Sequence, residues 1–118
     1  MKIKLLLQIL LLLSGCSDVV SDEYATYKLA QQAQLFDRGW LPDIVPSSAT
    51  QIEVNNDLDT NTSEGSFRID EPQLTEFIAK LTPTSSKDEF HFTSGDSTWV
   101  FNIVDDSVIT YTLNKVKG

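Results

Sequence analysis

The chain offers few groups to a catalyst: one histidine, one cysteine and a surplus of carboxylates. His91 lies between Phe90 and Phe92, so strand alternation puts it beside Glu89 on the face opposite the phenylalanines, a solvated position. As a general base it lacks a recognisable nucleophile, because no serine sits in a Gly-flanked strand-to-helix turn that would hold its hydroxyl forward. Zinc would need carboxylates to complete a site around a single His, and the helical His pair of zinc hydrolases is not present. Carboxylate-pair hydrolysis has no signature beyond the abundance of acids. The run Asp57-Leu58-Asp59-Thr60-Asn61 is more specific, since oxygen side chains at alternate positions begin a calcium loop. Its continuation departs from an EF-hand, with Thr62 where Gly belongs at the sixth place and Arg68 where Glu belongs at the twelfth. Asp and Asn also stabilise hairpin loops by accepting their own backbone amides, so the run reads first as a turn, with Asp57, Asp59 and Asn61 as candidate calcium ligands. No cofactor motif is present, and none is expected.

Cys16 has a different chemistry open to it. A lone thiol has no intramolecular disulfide partner, so an oxidising compartment does not explain it. The residues before it do: Lys2 and Lys4 form a basic start, and Leu5 to Leu13, interrupted by Gln8, form an apolar run of export-signal length. A membrane-spanning helix needs roughly 20 apolar residues, about twice this run. Leu13-Ser14-Gly15-Cys16 resembles the lipobox of bacterial lipoproteins, which implies diacylglyceryl transfer to the Cys16 thiol, removal of residues 1–15 and acylation of the new N-terminus. Under the sorting rule of enteric lipoproteins, Asp directly after the cysteine retains a protein in the inner membrane. Ser17 stands there and Asp18 follows, which points to the outer membrane, on its periplasmic face. Several acyl chains hold firmly where one is marginal, because each buried methylene contributes about 0.8 kcal/mol.

Loss of the signal takes Lys2 and Lys4 from the nine basic residues and leaves seven against seventeen acidic ones, a formal charge of about −10. Such a surface is repelled by phosphate backbones and anionic headgroups, which argues against nucleic acid as a partner and for a basic protein or cell-wall component. From Cys16 onward, 103 residues suffice for one domain with one modest core.

Residues 16–22 read as a short polar tether and 23–118 as a single α+β domain. Glu23 to Arg38 favours a helix, with Leu29, Ala33 and Phe36 at helical spacing and Tyr24, Tyr27 and Ala30 widening the apolar side. Gly39 follows as the left-handed terminator, which lets Trp40 fold back onto Leu35. Pro42 and Pro46 make Leu41 to Thr50 an extended arm. Gln51 to Val54 and Ser66 to Ile69 read as a hairpin across a polar loop. Asp70-Glu71-Pro72-Gln73 carries an N-cap, a first-turn proline and a capping-box glutamine ahead of a helix burying Leu74, Phe77, Ile78 and Leu81 and ending at Pro83. Glu89 to Thr93, Thr98 to Val104 and Val108 to Leu113 read as a meander, its inner faces carrying Trp99, Phe101 and Ile103, then Ile109, Tyr111 and Leu113. The expected architecture is an antiparallel sheet of about five strands with two helices on one side.

Arg38-Gly39-Trp40-Leu41-Pro42, Pro46, Ser48-Ala49-Thr50, Asp57-Leu58-Asp59-Thr60-Asn61 and Phe67-Arg68 together resemble small uncharacterised bacterial proteins of the YbbD-like kind. The resemblance implies an arm, an acidic loop and a following strand in that order, carries no catalytic residue, and ends at Arg68. Trp40, Pro42 and Pro46 serve either as packing and stiffening or as the wall of a peptide groove. The leading expectation is a non-enzymatic protein-binding module of the cell envelope, attached to the outer membrane through lipid on Cys16. One form of it is an inhibitor-type lipoprotein whose acidic surface steers onto a basic effector. The alternatives are an envelope enzyme working through carboxylates and a calcium-dependent binding module.

Overall fold

The computed structural model describes residues 18–115. Cys16, the lipobox and Ser17 lie outside the described residues. Seven strands form one sheet in the order β1-β2-β3-β7-β6-β5-β4, every neighbour antiparallel: β1 Val19–Thr26, β2 Thr50–Asp57, β3 Thr62–Arg68, β4 Thr82–Pro83, β5 Glu89–Ser94, β6 Ser97–Ile103 and β7 Val108–Lys115. Two helices of six residues each, α1 Tyr27–Gln32 and α2 Gln73–Ile78, complete the regular structure. The expected α+β fold of five strands and two full helices is therefore corrected to a seven-stranded antiparallel sheet carrying two single-turn-scale helices.

Most of that correction falls on residues 19–38. Val19–Asp22, expected in a tether, are the first half of β1, and the expected helix runs only through α1. β1 shows no apolar alternation because the core reaches it at one residue, Tyr24. All its residues are exposed except the half-buried Tyr24, and its backbone pairing with β2 holds it. Two left-handed terminators then follow in series. At Gln34 (φ 64), Gln34 N–H donates to Gln31 O (2.9 Å) and Leu35 N–H to Ala30 O (3.1 Å). At Gly39 (φ 82), Gly39 N–H donates to Phe36 O (3.0 Å) and Trp40 N–H to Leu35 O (3.3 Å). Both are the paired bonds of a Schellman ending. The first stops α1 and re-aims the chain so that Ala30 and Leu35 are fully buried, while Leu29, expected inside, is 48 % exposed. The second places Gly39 and Trp40 as the sequence predicts.

The core lies on one face of the sheet. Ile52 and Val54 of β2, Phe67 of β3, Trp99 and Phe101 of β6, and Ile109, Tyr111 and Leu113 of β7 meet residues of the covering layer, chiefly Leu35, Trp40, Leu41, Val45, Leu74 and Phe77. Phe77 stands edge-on to Phe101 (centroids 5.2 Å) and to Phe67 (5.9 Å), the geometry aromatic quadrupoles prefer. The meander's strands agree closely with those read from the sequence, and Gly95 (φ 58) opens the two-residue turn between β5 and β6, the place at which a type II′ turn requires it. α2 differs from expectation at both ends: it stops at Ile78, and Pro83, expected as its terminator, lies in β4. No capping box forms; the Glu71 carboxylate accepts from Thr75 N–H (3.1 Å) and Thr75 Oγ1 (2.7 Å), while Asp70 pairs with Arg68 Nε at 3.4 Å.

Candidate functional site

The arm is built of turns. Val45 N–H donates to Pro42 O (3.2 Å) and Ala49 N–H to Pro46 O (3.0 Å), so each proline opens a turn closed three residues on, and the extended arm expected for Leu41 to Thr50 is corrected to two successive turns. The prolines fix φ at the first residue of each turn, and the turns bury Leu41, Val45 and Ala49 against the sheet. Tyr27 N–H reaches Ala49 O (3.0 Å), fastening the end of the arm to the start of α1. At the other end the Trp99 indole N–H donates to Trp40 O (3.0 Å), fastening it to β6.

Between the arm and the β5–β6 turn lies a cleft of about 250 Å³ lined by Phe36, Asp37, Leu41, Pro42, Asp43 and Phe92, with Gly39, Ser94 and Trp99 behind them. Its lining is mixed, polar groups and aromatic rings together: Phe36 stacks on Tyr27 (4.6 Å, 25°) and Phe92 lies against Trp99 (6.1 Å). Its mouth carries the exposed carboxylates of Asp37 and Asp43, and no lining residue is cationic. Of the three groove residues expected from the sequence, Pro42 lines the cleft. Trp40 is buried behind it, with Lys115 Nζ 6.0 Å above its ring, and the half-buried Pro46 stands outside the lining. Asp37, Asp43 and Phe92 stand outside the groove expected from the sequence; of the three, Asp43, next to Pro42 in the chain, carried a local signal.

The acidic loop closes the β2–β3 hairpin, with Asp57 paired to Thr62. Asp57 Oδ1 accepts Asp59 N–H (3.0 Å) and Thr60 N–H (3.2 Å), and Asn61 takes the left-handed conformation (φ 60) that Asn tolerates. The loop's oxygens therefore serve the turn. Among the described residues no group of three or more His, Cys, Asp or Glu side chains stands close enough to hold a metal ion. His91 is half-buried in β5, opposite Val100.

One polar chain crosses the core. Ser63 Oγ donates to Asn56 Oδ1 (2.7 Å), and with its proton so used it accepts from the Tyr111 hydroxyl (2.8 Å). Burial pushes the Tyr111 phenol up to about 12. This chain satisfies the buried polar groups it joins. Tyr24 is raised from its ordinary value by desolvation and then by Asp22 beside it in β1.

Residues 18–68 match the family model described as the YbbD head domain, which covers β1, α1, the arm, β2 and β3 and stops at Arg68, where the resemblance in the sequence also ends. Neither curated proteins nor solved structures yielded a match to the chain. A YbbD-like head domain is thus supported over residues 18–68, with α2 and β4 to β7 completing its sheet.

Proposed function

We propose that the protein is a non-enzymatic protein-binding module of the cell envelope, held at the periplasmic face of the outer membrane by lipid on Cys16. The observation that carries the binding half of this reading is the preformed cleft at the arm. Two turns, two Schellman endings and the Trp99–Trp40 hydrogen bond fix its walls, so a bound segment would not have to order them. Aromatic walls under two carboxylates suit an apolar side chain next to a Lys or Arg, whose charge gains from both the acids and the ring faces. The acidic surplus supports the same kind of partner, because opposite charge speeds encounter and excludes acidic competitors.

The anchoring half is supported by the lipobox together with the position of β1, which begins at Val19, three residues after Cys16. Such a stretch spans at most about 10 Å, so a lipidated domain would lie against the membrane and meet partners that are themselves at that surface. Cross-linking in intact cells, with Cys16→Ser as control, tests the reading. It predicts a stoichiometric partner that co-purifies with the lipidated protein and is lost in the variant; membrane attachment unchanged by Cys16→Ser, or no protein captured by the wild type, would contradict it.

A further inference from the structure

We propose that the outer edge of β1 is a docking surface for a basic extended strand of a partner protein, which adds to the sheet as an eighth strand. The inference rests on the protein-binding reading and names the partner's recognition element. β1 is eight residues long and ends the sheet, and among the described residues no strand pairs with its outer side. At the opposite end β4 has only two residues, short enough to blunt that edge against pairing. The β1 edge is therefore the longer and more regular of the two ends of the sheet.

Charge identifies the occupant. β1 and β2 carry Asp22, Glu23, Glu53 and Asp57 and no Lys or Arg. In the register of the two strands Glu23 stands directly opposite Glu53, a like-charge pair that an antiparallel ladder disfavours. Asp22 is opposite Val54, so its side chain points to the other face from that of Glu23. A strand added outside β1 would present one neighbour to Glu23 on the open face and one to Asp22 on the core face. Lys or Arg on the open face would relieve the Glu23–Glu53 repulsion, while an alternating strand sets its apolar residues on the core face beside Val20, Asp22 and Tyr24. A second copy of this chain is the wrong occupant, because antiparallel pairing of β1 with itself about its centre sets Asp22 and Glu23 of one copy against those of the other. Val19 and Val20, 46 % and 43 % exposed, offer apolar contact at the start of the same edge.

The test uses the full-length chain, 15N-labelled in detergent micelles, and three capped octapeptides: alternating Lys-Val, alternating Glu-Val, and alternating Lys-Pro. The last keeps the charge of the first, carries an amide proton on every second residue only and is held by its prolines in the polyproline II conformation, which makes no backbone ladder. The Lys-Val peptide is expected to shift the amides of Val19–Thr26 and to slow their hydrogen exchange at least tenfold. The other two peptides are expected to leave that exchange unchanged. Asp22→Lys with Glu23→Lys is expected to weaken Lys-Val binding at least fivefold, as is raising the salt to 0.5 M, where the Debye length falls to about 4 Å and attraction beyond direct contact is screened. Protection by Lys-Pro equal to that by Lys-Val would reduce the effect to unspecific attraction and overturn the proposal. So would shifts centred on the arm cleft, or protection of β1 without peptide that grows with protein concentration, the sign of self-pairing. The module reading fails separately, if intact cells yield no partner.

Discussion

Single residues hold this structure at places where sequence pattern alone is silent. Gln34 stops α1 in a left-handed conformation that costs an L-residue about 1–2 kcal/mol, repaid by the burial of Leu35. Gln34→Gly should therefore raise the urea midpoint, by about 0.5–1 kcal/mol of stability once glycine's freer unfolded chain is counted. Nothing in the types Ala33-Gln34-Leu35 signals a stop, whereas Gly39 does, and this is why the second terminator was legible and the first was not. Glu71 in place of Asp70 caps α2, so Glu71→Ala should cost about 1 kcal/mol in thermal melts and Asp70→Ala much less. Tyr111 supplies a pH dependence. Its folded pKa, about 12, lies above the ordinary 10, so the unfolded chain gives up its proton first; the stability it confers is whole below pH 10 and falls as pH rises from 10 to 12, by on the order of 2–3 kcal/mol. Tyr111→Phe should flatten that alkaline limb in urea titrations at pH 9 to 12. Because Asp57 Oδ1 is engaged by two amides, millimolar calcium should leave the melting temperature unchanged; a rise of several degrees would revive the calcium-loop reading.

At the scale of elements, what the sequence made legible follows from burial. β5, β6 and β7, each with an inner face, announced themselves by alternation, and α2 by its Leu74 and Phe77 spacing. β1 did not, since an edge strand that the core reaches only at Tyr24 leaves its other side chains free to be acidic. Between β2 and β3 the register shifts between Thr50 and Glu53, with Gln51 at φ 50, a bulge that no local residue preference foretells. Gly65 is required by that pairing: a Cβ there would meet the carbonyl oxygen of Glu53 and come within 3.0 Å of the Tyr111 ring. Gly65→Ala should destabilise by about 1–3 kcal/mol, read from chemical denaturation. The pair Glu23–Glu53 makes the opposite prediction, because Glu23→Gln should stabilise by a few tenths of a kcal/mol while weakening capture of a basic strand.

Taken whole, the molecule joins two meanders through their last strands, β3 with β7. The YbbD-like stretch ends at Arg68, at the end of β3, and is not closed there: Phe67 packs on Phe77 of α2 and Phe101 of β6, and Trp40 is fastened by Trp99 of β6, all beyond Arg68. Residues 18–68 expressed alone should therefore lack a cooperative thermal transition in circular dichroism. Only the whole sheet sets the cleft, whose Asp37 and Asp43 come from the first half and whose Phe92 comes from the second, and that meeting across the fold is what the sequence could not show. It did show the arm, its glycine and its prolines, which are local. The central claim is that this surface captures a protein at the membrane, and photo-cross-linking in intact cells tests it most directly. A photoreactive residue at Asp43 or at Glu23 should trap one protein that the same probe at Asp105, on the β6–β7 turn, does not trap, and that capture should vanish with Cys16→Ser. Equal labelling from all three positions, or capture indifferent to the anchor, would contradict it.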